Sequence, residues 1–260
     1  YADGALYKSA QEYAYPNIMA QQFALVGGNG IFKTPIINTE DGVMPSIISS
    51  GLFLETKLVL KNRENCFGFA ELGPVRLVEN PNQDKLYDEL YTNISAQGPF
   101  NNIGVPGIVV SHLISPGLGI INPYYGRFAV NSSSDKLLDE AIKVDPTIFS
   151  LWIGNNDILA YASSGGTSSI TTEELFQLAY DAVLSHLSSI SQGGVVANIP
   201  DISSTAYFTS IDYNSVVITS EEHRAELELY YESYNQQMED LGKDYRINWT
   251  LGNNPMVIRD

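Results

Sequence analysis

Two apolar runs set the frame of this chain. Ile148-Phe149-Ser150-Leu151-Trp152-Ile153 has the length of a buried strand and stops at Gly154. Val195-Val196-Ala197-Asn198-Ile199 is a second such run, closed by Pro200-Asp201. Between them, Leu175, Leu178, Ala179, Ala182 and Val183 recur at helical spacing. Thr171-Thr172-Glu173-Glu174 opens that helix as a capping box, with Glu174 reaching back to the cap, and Gly193-Gly194 breaks it. A short strand is expected over Phe100–Ile103, before Gly104-Val105-Pro106-Gly107 and an apolar segment from Ile108 to Ile114. Strands alternating with helices in this way predict an α/β fold, doubly wound on a parallel sheet with right-handed crossovers.

The flanking stretches differ. Tyr1–Gly28 reads as a turn and then a helix, with Pro16 in a first turn, an apolar stripe of Ile18, Met19, Phe23 and Val26, and a stop at Gly27-Gly28. Residues 48–78 read as a small antiparallel insertion: a strand over Gly51–Leu60, a turn at Asn62–Asn65, then further strand to Val78 interrupted at Gly73-Pro74. A short helix is expected at Asp84–Tyr91, and Ser134 or Asp135 can cap another carrying Leu137, Leu138 and Ile142. A second capping box, Thr219 to Glu222, opens a long polar helix to about Leu241. Tyr245–Thr250 and Met256–Ile258 read as strands joined by a turn at Gly252–Pro255.

Composition narrows the function classes. A formal net charge of −16 argues against a nucleic-acid partner, because phosphate contacts need clustered Lys and Arg. No apolar run has the length of a transmembrane helix. The single cysteine, Cys66, has no Cys-x-x-Cys partner and reads as a buried structural thiol. His112, His186 and His223 match no metal spacing, so no metal and no other cofactor is expected. His186 reads as packed, His223 as solvated and His112 as core.

The candidate chemistry sits where strands end: Asn102–Gly107, Gly154–Asp157 and Pro200-Asp201. In a parallel sheet these ends share one edge, where ligands bind. Gly107 can present a backbone N–H with no side chain in the way, and an asparagine amide beside it supplies a second donor. Two such donors form the oxyanion hole that acyl transfer needs. Asp201 can line a cleft or cap a turn, the two weighing evenly. Asn122-Pro123-Tyr124-Tyr125-Gly126 can stack on a sugar or lipid, or cover the sheet edge.

Gly154-Asn155-Asn156-Asp157 resembles the Gly-x-Asn-Asp block of the SGNH, or GDSL-like, hydrolases, and Asn102–Gly107 resembles the block that ends in their oxyanion-hole glycine. Tyr1–Gly28 is similar to the segment just after the first block in lipoprotein-like bacterial members. The resemblance implies a flavodoxin-like α/β/α sandwich that hydrolyses carboxylic esters through a serine acyl-enzyme, exported to the periplasm or cell exterior. On that mapping Gly107 donates its N–H, Asn156 its side-chain amide, and Asp157 braces the turn. The family's Gly-Asp-Ser-Leu block is missing, and Val109, Val183 and Ser220 stand where an Asp-x-x-His block would need aspartate. The expectation is one domain over 1–260, incomplete at both ends, with the serine and histidine outside it and no turnover alone. The alternative is a glycan- or lipid-binding module on the same fold.

Overall fold

A computed structural model describes residues 5–48, 51–64, 70–209 and 213–255. The chain mixes helices and strands, as an α/β protein, and its described strands form four two-stranded sheets. It divides into two compact units, Tyr1–Asn156 with Thr171–Asn198, and Asp157–Ile170 with Ile199–Asp260. Cys66, the opening turn at Tyr1–Gly4 and the strand expected at Met256–Ile258 lie outside the described residues.

The first unit opens with α1 (Lys8–Glu12) and α2 (Tyr15–Ala24), the latter with Pro16 in its first turn. None of the residues of α2 is buried, so the expected apolar stripe does not enter the core. Gln11, on α1, is buried and acts as a surrogate strand. Its Nε2 donates to the Pro35 carbonyl at 2.9 Å and its Oε1 accepts the Ile37 N–H at 2.7 Å.

Next come two antiparallel hairpins. β1 (Met44–Ile48) pairs β2 (Gly51–Glu55), and β3 (Leu58–Glu64) pairs β4 (Ala70–Arg76). The strand expected over Gly51–Leu60 is thus broken at Thr56-Lys57. The Lys57 N–H donates to Asp41, and the buried Thr56 hydroxyl bridges both backbone groups of Val78 at 3.0 and 3.1 Å. The expected turn at Asn62–Asn65 is strand as far as Glu64. Gly73-Pro74 does not interrupt β4, because a two-stranded sheet has free edges where proline loses no ladder bond.

The core gathers around α3 (Gln83–Tyr91), capped by Asn82 and burying Leu86 and Leu90. The short helices α4 (Leu118–Ile121) and α5 (Pro123–Gly126) add Leu118, Tyr124 and Tyr125, and α6 (Leu137–Lys143) adds Leu137, Leu138 and Ala141. Neither Ser134 nor Asp135 caps α6. Its N-cap is Lys136, while Asp135 accepts the Asn131 N–H at 2.8 Å. Tyr124 and Tyr125 are core residues, so they offer no surface for stacking on a ligand. Arg127, 3% exposed, ties this core together by donating to three backbone carbonyls, of Glu89, Pro35 and Ile36, each at 3.1 Å. Burial lowers its pKa to about 10, with the Glu89 charge acting the other way.

β5 (Ile148–Leu151) and β6 (Gly193–Val196) pair in parallel. They are connected through α7 (Asn155–Ser163) and α8 (Glu173–Ile190). Phe149 and Leu151 pack on the core. The Phe149 ring lies across Gly194, its register partner, where a Cβ would come within 2.4 Å of the ring. Glycine there is therefore a packing requirement. α8 is capped by Thr172, whose hydroxyl accepts the Leu175 N–H, and it buries Ala179, Val183 and Leu187. Leu175 and Leu178 stay exposed.

The segment Phe100–Ile103 is not a strand. The N–H groups of Asn101 and Asn102 both donate to the Lys33 carbonyl, and the Asn101 side chain accepts the Lys33 N–H at 2.8 Å. Those groups are spent on a neighbouring loop and are not free for a ladder. Within the described residues only β5 and β6 pair in parallel, so the expected shared edge of three strand ends is not formed.

In the second unit, a short helix, α9 (Ala206–Thr209), comes before β7 (Val216–Ile218). Ser220 caps α10 (Glu221–Asp240) by accepting the His223 N–H at 3.2 Å. β7 pairs β8 (Gly252–Asn254), so the expected turn at Gly252–Pro255 is largely strand. Tyr245–Thr250 is not a strand, because the Asn235 amide on α10 holds both backbone groups of Ile247 at 2.8 Å.

Candidate functional site

The site grows from the end of β5. Gly154 is buried with φ +114°, a conformation that a side chain would strain, and it turns the chain from strand to helix. The first turn of α7 then carries Asn155, Asn156 and Asp157, and Asp157 is buried. The Asn156 Nδ2 donates to the Ile108 carbonyl at 2.9 Å. An asparagine amide has two donors, so this bond leaves the second N–H of Asn156 for another acceptor.

Ile108 comes directly after Gly107, so Asn156 and the Gly107 main chain are neighbours. The loop that holds them is shaped by its own sequence. The Asn102 side chain accepts the Gly104 N–H at 3.1 Å, an Asx turn. Pro106 and Gly107 then take the middle positions of a turn, with Gly107 at φ +76°. Proline followed by a left-handed glycine is the type II pattern. Gly107 is exposed, and a Cβ built on it would meet nothing within 4 Å, so one face of the turn is open. Its N–H has no hydrogen-bond partner among the described residues.

The same loop receives a second asparagine. Asn122 Nδ2 donates to the Pro106 carbonyl at 3.0 Å, while its Oδ1 accepts the N–H groups of Tyr124 and Tyr125 and caps α5. In the sequence Asn122 reads only as part of an aromatic turn. The available signal was asparagine before proline at a helix start, where the oxygen caps and the amide nitrogen is left to find an acceptor.

His112 is half-buried, and its Nδ1 accepts the Val109 N–H at 3.3 Å, so in the neutral ring the proton sits on Nε2. Asp201 belongs to the other compact unit, where its carboxylate accepts the Ser203 N–H at 3.0 Å and hydroxyl at 2.6 Å, a turn cap. Among the described residues no group of three or more His, Cys, Asp and Glu side chains is placed to hold a metal ion. No helix among them is long and apolar enough to cross a membrane. Chemically, the loop and α7 offer neutral donors at a solvent-open glycine, a setting suited to an anionic oxygen.

No family model, curated protein or solved structure matches the chain.

Proposed function

We propose that the Gly107–Asn156 site is the oxyanion hole of a carboxylic ester hydrolase of the SGNH kind, acting by serine acylation and then water attack. The observation that carries this reading is the 2.9 Å bond from Asn156 to Ile108, which brings the amide beside a glycine whose N–H has no described partner. Gly107 donates its N–H and Asn156 its free amide hydrogen to the developing negative charge. The serine, histidine and its aspartate lie outside residues 1–260. The reading includes a flavodoxin-like sandwich and export to the periplasm or cell exterior, with a small-molecule, lipid or glycan ester as substrate. Support for more sheet than β5 and β6 comes from Ile148, Val195 and Val196, which are exposed although parallel strands are normally covered on both faces.

A glycan- or lipid-binding module is the second reading. The missing Gly-Asp-Ser-Leu and Asp-x-x-His sequences favour it. The flanking coding sequence separates the two: a serine-bearing first block before these residues and Asp-x-x-His after them support the enzyme, and their absence supports the binder. Two assays then test the enzyme reading. The 260 residues alone leave p-nitrophenyl acetate unhydrolysed. In a complete protein that supplies the serine and histidine, Asn156→Ala lowers turnover about a hundredfold or more. Unchanged turnover in that variant removes Asn156 from the hole, and enzyme-like turnover by the 260 residues overturns the placement of the nucleophile.

A further inference from the structure

We infer that Asn122 is a positioning residue that fixes the Pro106–Gly107 peptide with the Gly107 N–H facing the site, an inference that rests on the oxyanion reading. The C=O of Pro106 and the N–H of Gly107 belong to one peptide unit. That unit is trans, because the described cis bond is Gly98–Pro99, and in a trans peptide the two groups point in opposite directions. Whatever holds the carbonyl therefore aims the N–H.

This peptide is also the part of the turn that moves most easily. It links the two middle residues, and rotating it by about half a turn is what separates a type I from a type II turn. Proline suits the second position of both types, so Pro106 does not choose between them. Glycine adopts φ of either sign, so Gly107 does not choose either. The open face of Gly107 offers no steric barrier. The Asn122 Nδ2, 3.0 Å from the Pro106 oxygen, supplies the choice.

Asn122 is itself held. Its Oδ1 accepts two N–H groups of α5, and its own N–H donates to Leu118 at 2.8 Å. On the other side of Gly107, Asn156 holds the Ile108 carbonyl. The loop is thus clamped at the carbonyls on both sides of Gly107, leaving the Gly107 N–H between them. A hydrogen bond to the Pro106 carbonyl also polarises that peptide and makes its N–H a better donor.

The test uses the 260-residue chain with sodium acetate as the probe, read by NMR at the Pro106 carbonyl carbon and the Gly107 amide. Asn122→Ser keeps a neutral cap for α5 but is too short to reach Pro106. Wild type is expected to show a saturable acetate shift at the Gly107 N–H. In Asn122→Ser the spectrum elsewhere superposes on wild type, the Pro106 carbonyl resonance moves, and acetate affinity falls about tenfold. If this variant fails to fold, Asn122→Asp keeps the cap and the shape, and the Pro106 resonance alone decides. An unmoved Pro106 resonance with full acetate affinity overturns the role of Asn122 while leaving the anion site standing. No acetate response at Gly107 in wild type removes the anion site, and with it the use made of Asn122, whatever the carbonyl resonance shows.

Discussion

Replacing Arg127 by methionine tests how the core around the site is held. The variant keeps most of the volume and deletes three hydrogen bonds. The Pro35 carbonyl keeps a second donor, Gln11 Nε2, so only the carbonyls of Ile36 and Glu89 lose their described partner. Both bonds are partly buried, so each stranded acceptor costs about 1–2 kcal/mol, toward the lower part of the usual range. Against this stands the release of a desolvated cation, an offset that the lowered pKa places at about 3 kcal/mol. Arg127→Met is therefore expected to stay within about 1 kcal/mol of wild type at pH 7, or a few degrees in Tm for a chain of this size. Urea denaturation followed by circular dichroism at pH 7 measures it. The pH dependence adds a second check. With burial holding the folded guanidinium's pKa near 10, below its ordinary value, the unfolded chain holds a proton that the folded chain loses in that window. Wild-type stability relative to the variant is then constant below about pH 10 and rises above it. A variant that loses well over 1 kcal/mol at pH 7, with no change in relative stability above pH 10, would refute the claim that the buried charge offsets these bonds.

Tyr125→Phe is expected to be at least as stable as wild type at pH 7, by up to about 1 kcal/mol, because the buried hydroxyl has no described partner. Burial first, and then the charges of Glu140, Asp135 and Asp139, raise the Tyr125 pKa above its ordinary 10. Its contribution is complete below pH 10 and lost as pH rises beyond, so the variant loses stability less steeply there; equal slopes in alkaline urea titrations count against this. Gly107→Ala should cost about 1–2 kcal/mol from the backbone alone, since φ is +76° and no atom obstructs the new methyl. A thermal denaturation loss well beyond that contradicts the open face.

Much of the helical framework was legible because its signals are local. Asn82, Thr172 and Ser220 cap their helices by bonds to residues three positions on, although both expected capping boxes began one residue early. The apolar runs at Ile148 and Val195 gave β5 and β6 as strands for the same reason, but not their expected burial, since Ile148, Val195 and Val196 are exposed. What failed depended on distant partners. Asn101 pairs with Lys33, 68 residues away, and nothing between Phe100 and Ile103 announces it. Tyr124 and Tyr125 looked like a surface feature because a turn rich in aromatics has the same sequence whether it faces water or core. In the candidate site, Gly107 and Asn156 carry motif-level signals. Asn122 does not, since its use depends on a carbonyl 16 positions earlier in a loop of irregular path.

The grip of Gln11 on Pro35 and Ile37 has a bearing on how this chain tolerates change in length. Residues 35–37 have no regular secondary structure, yet Ile37 is fully buried and the backbone leading into it is fastened from α1 and from Arg127. An inserted or deleted residue there would shift Ile37 out of register with both anchors at once. The exposed Ser163–Ser169 connection, by contrast, has room to lengthen or shorten. Loop and core are thus distinguished in this protein by which side chains reach the backbone, and a graft or splice site is better chosen by that criterion than by the absence of helix and strand.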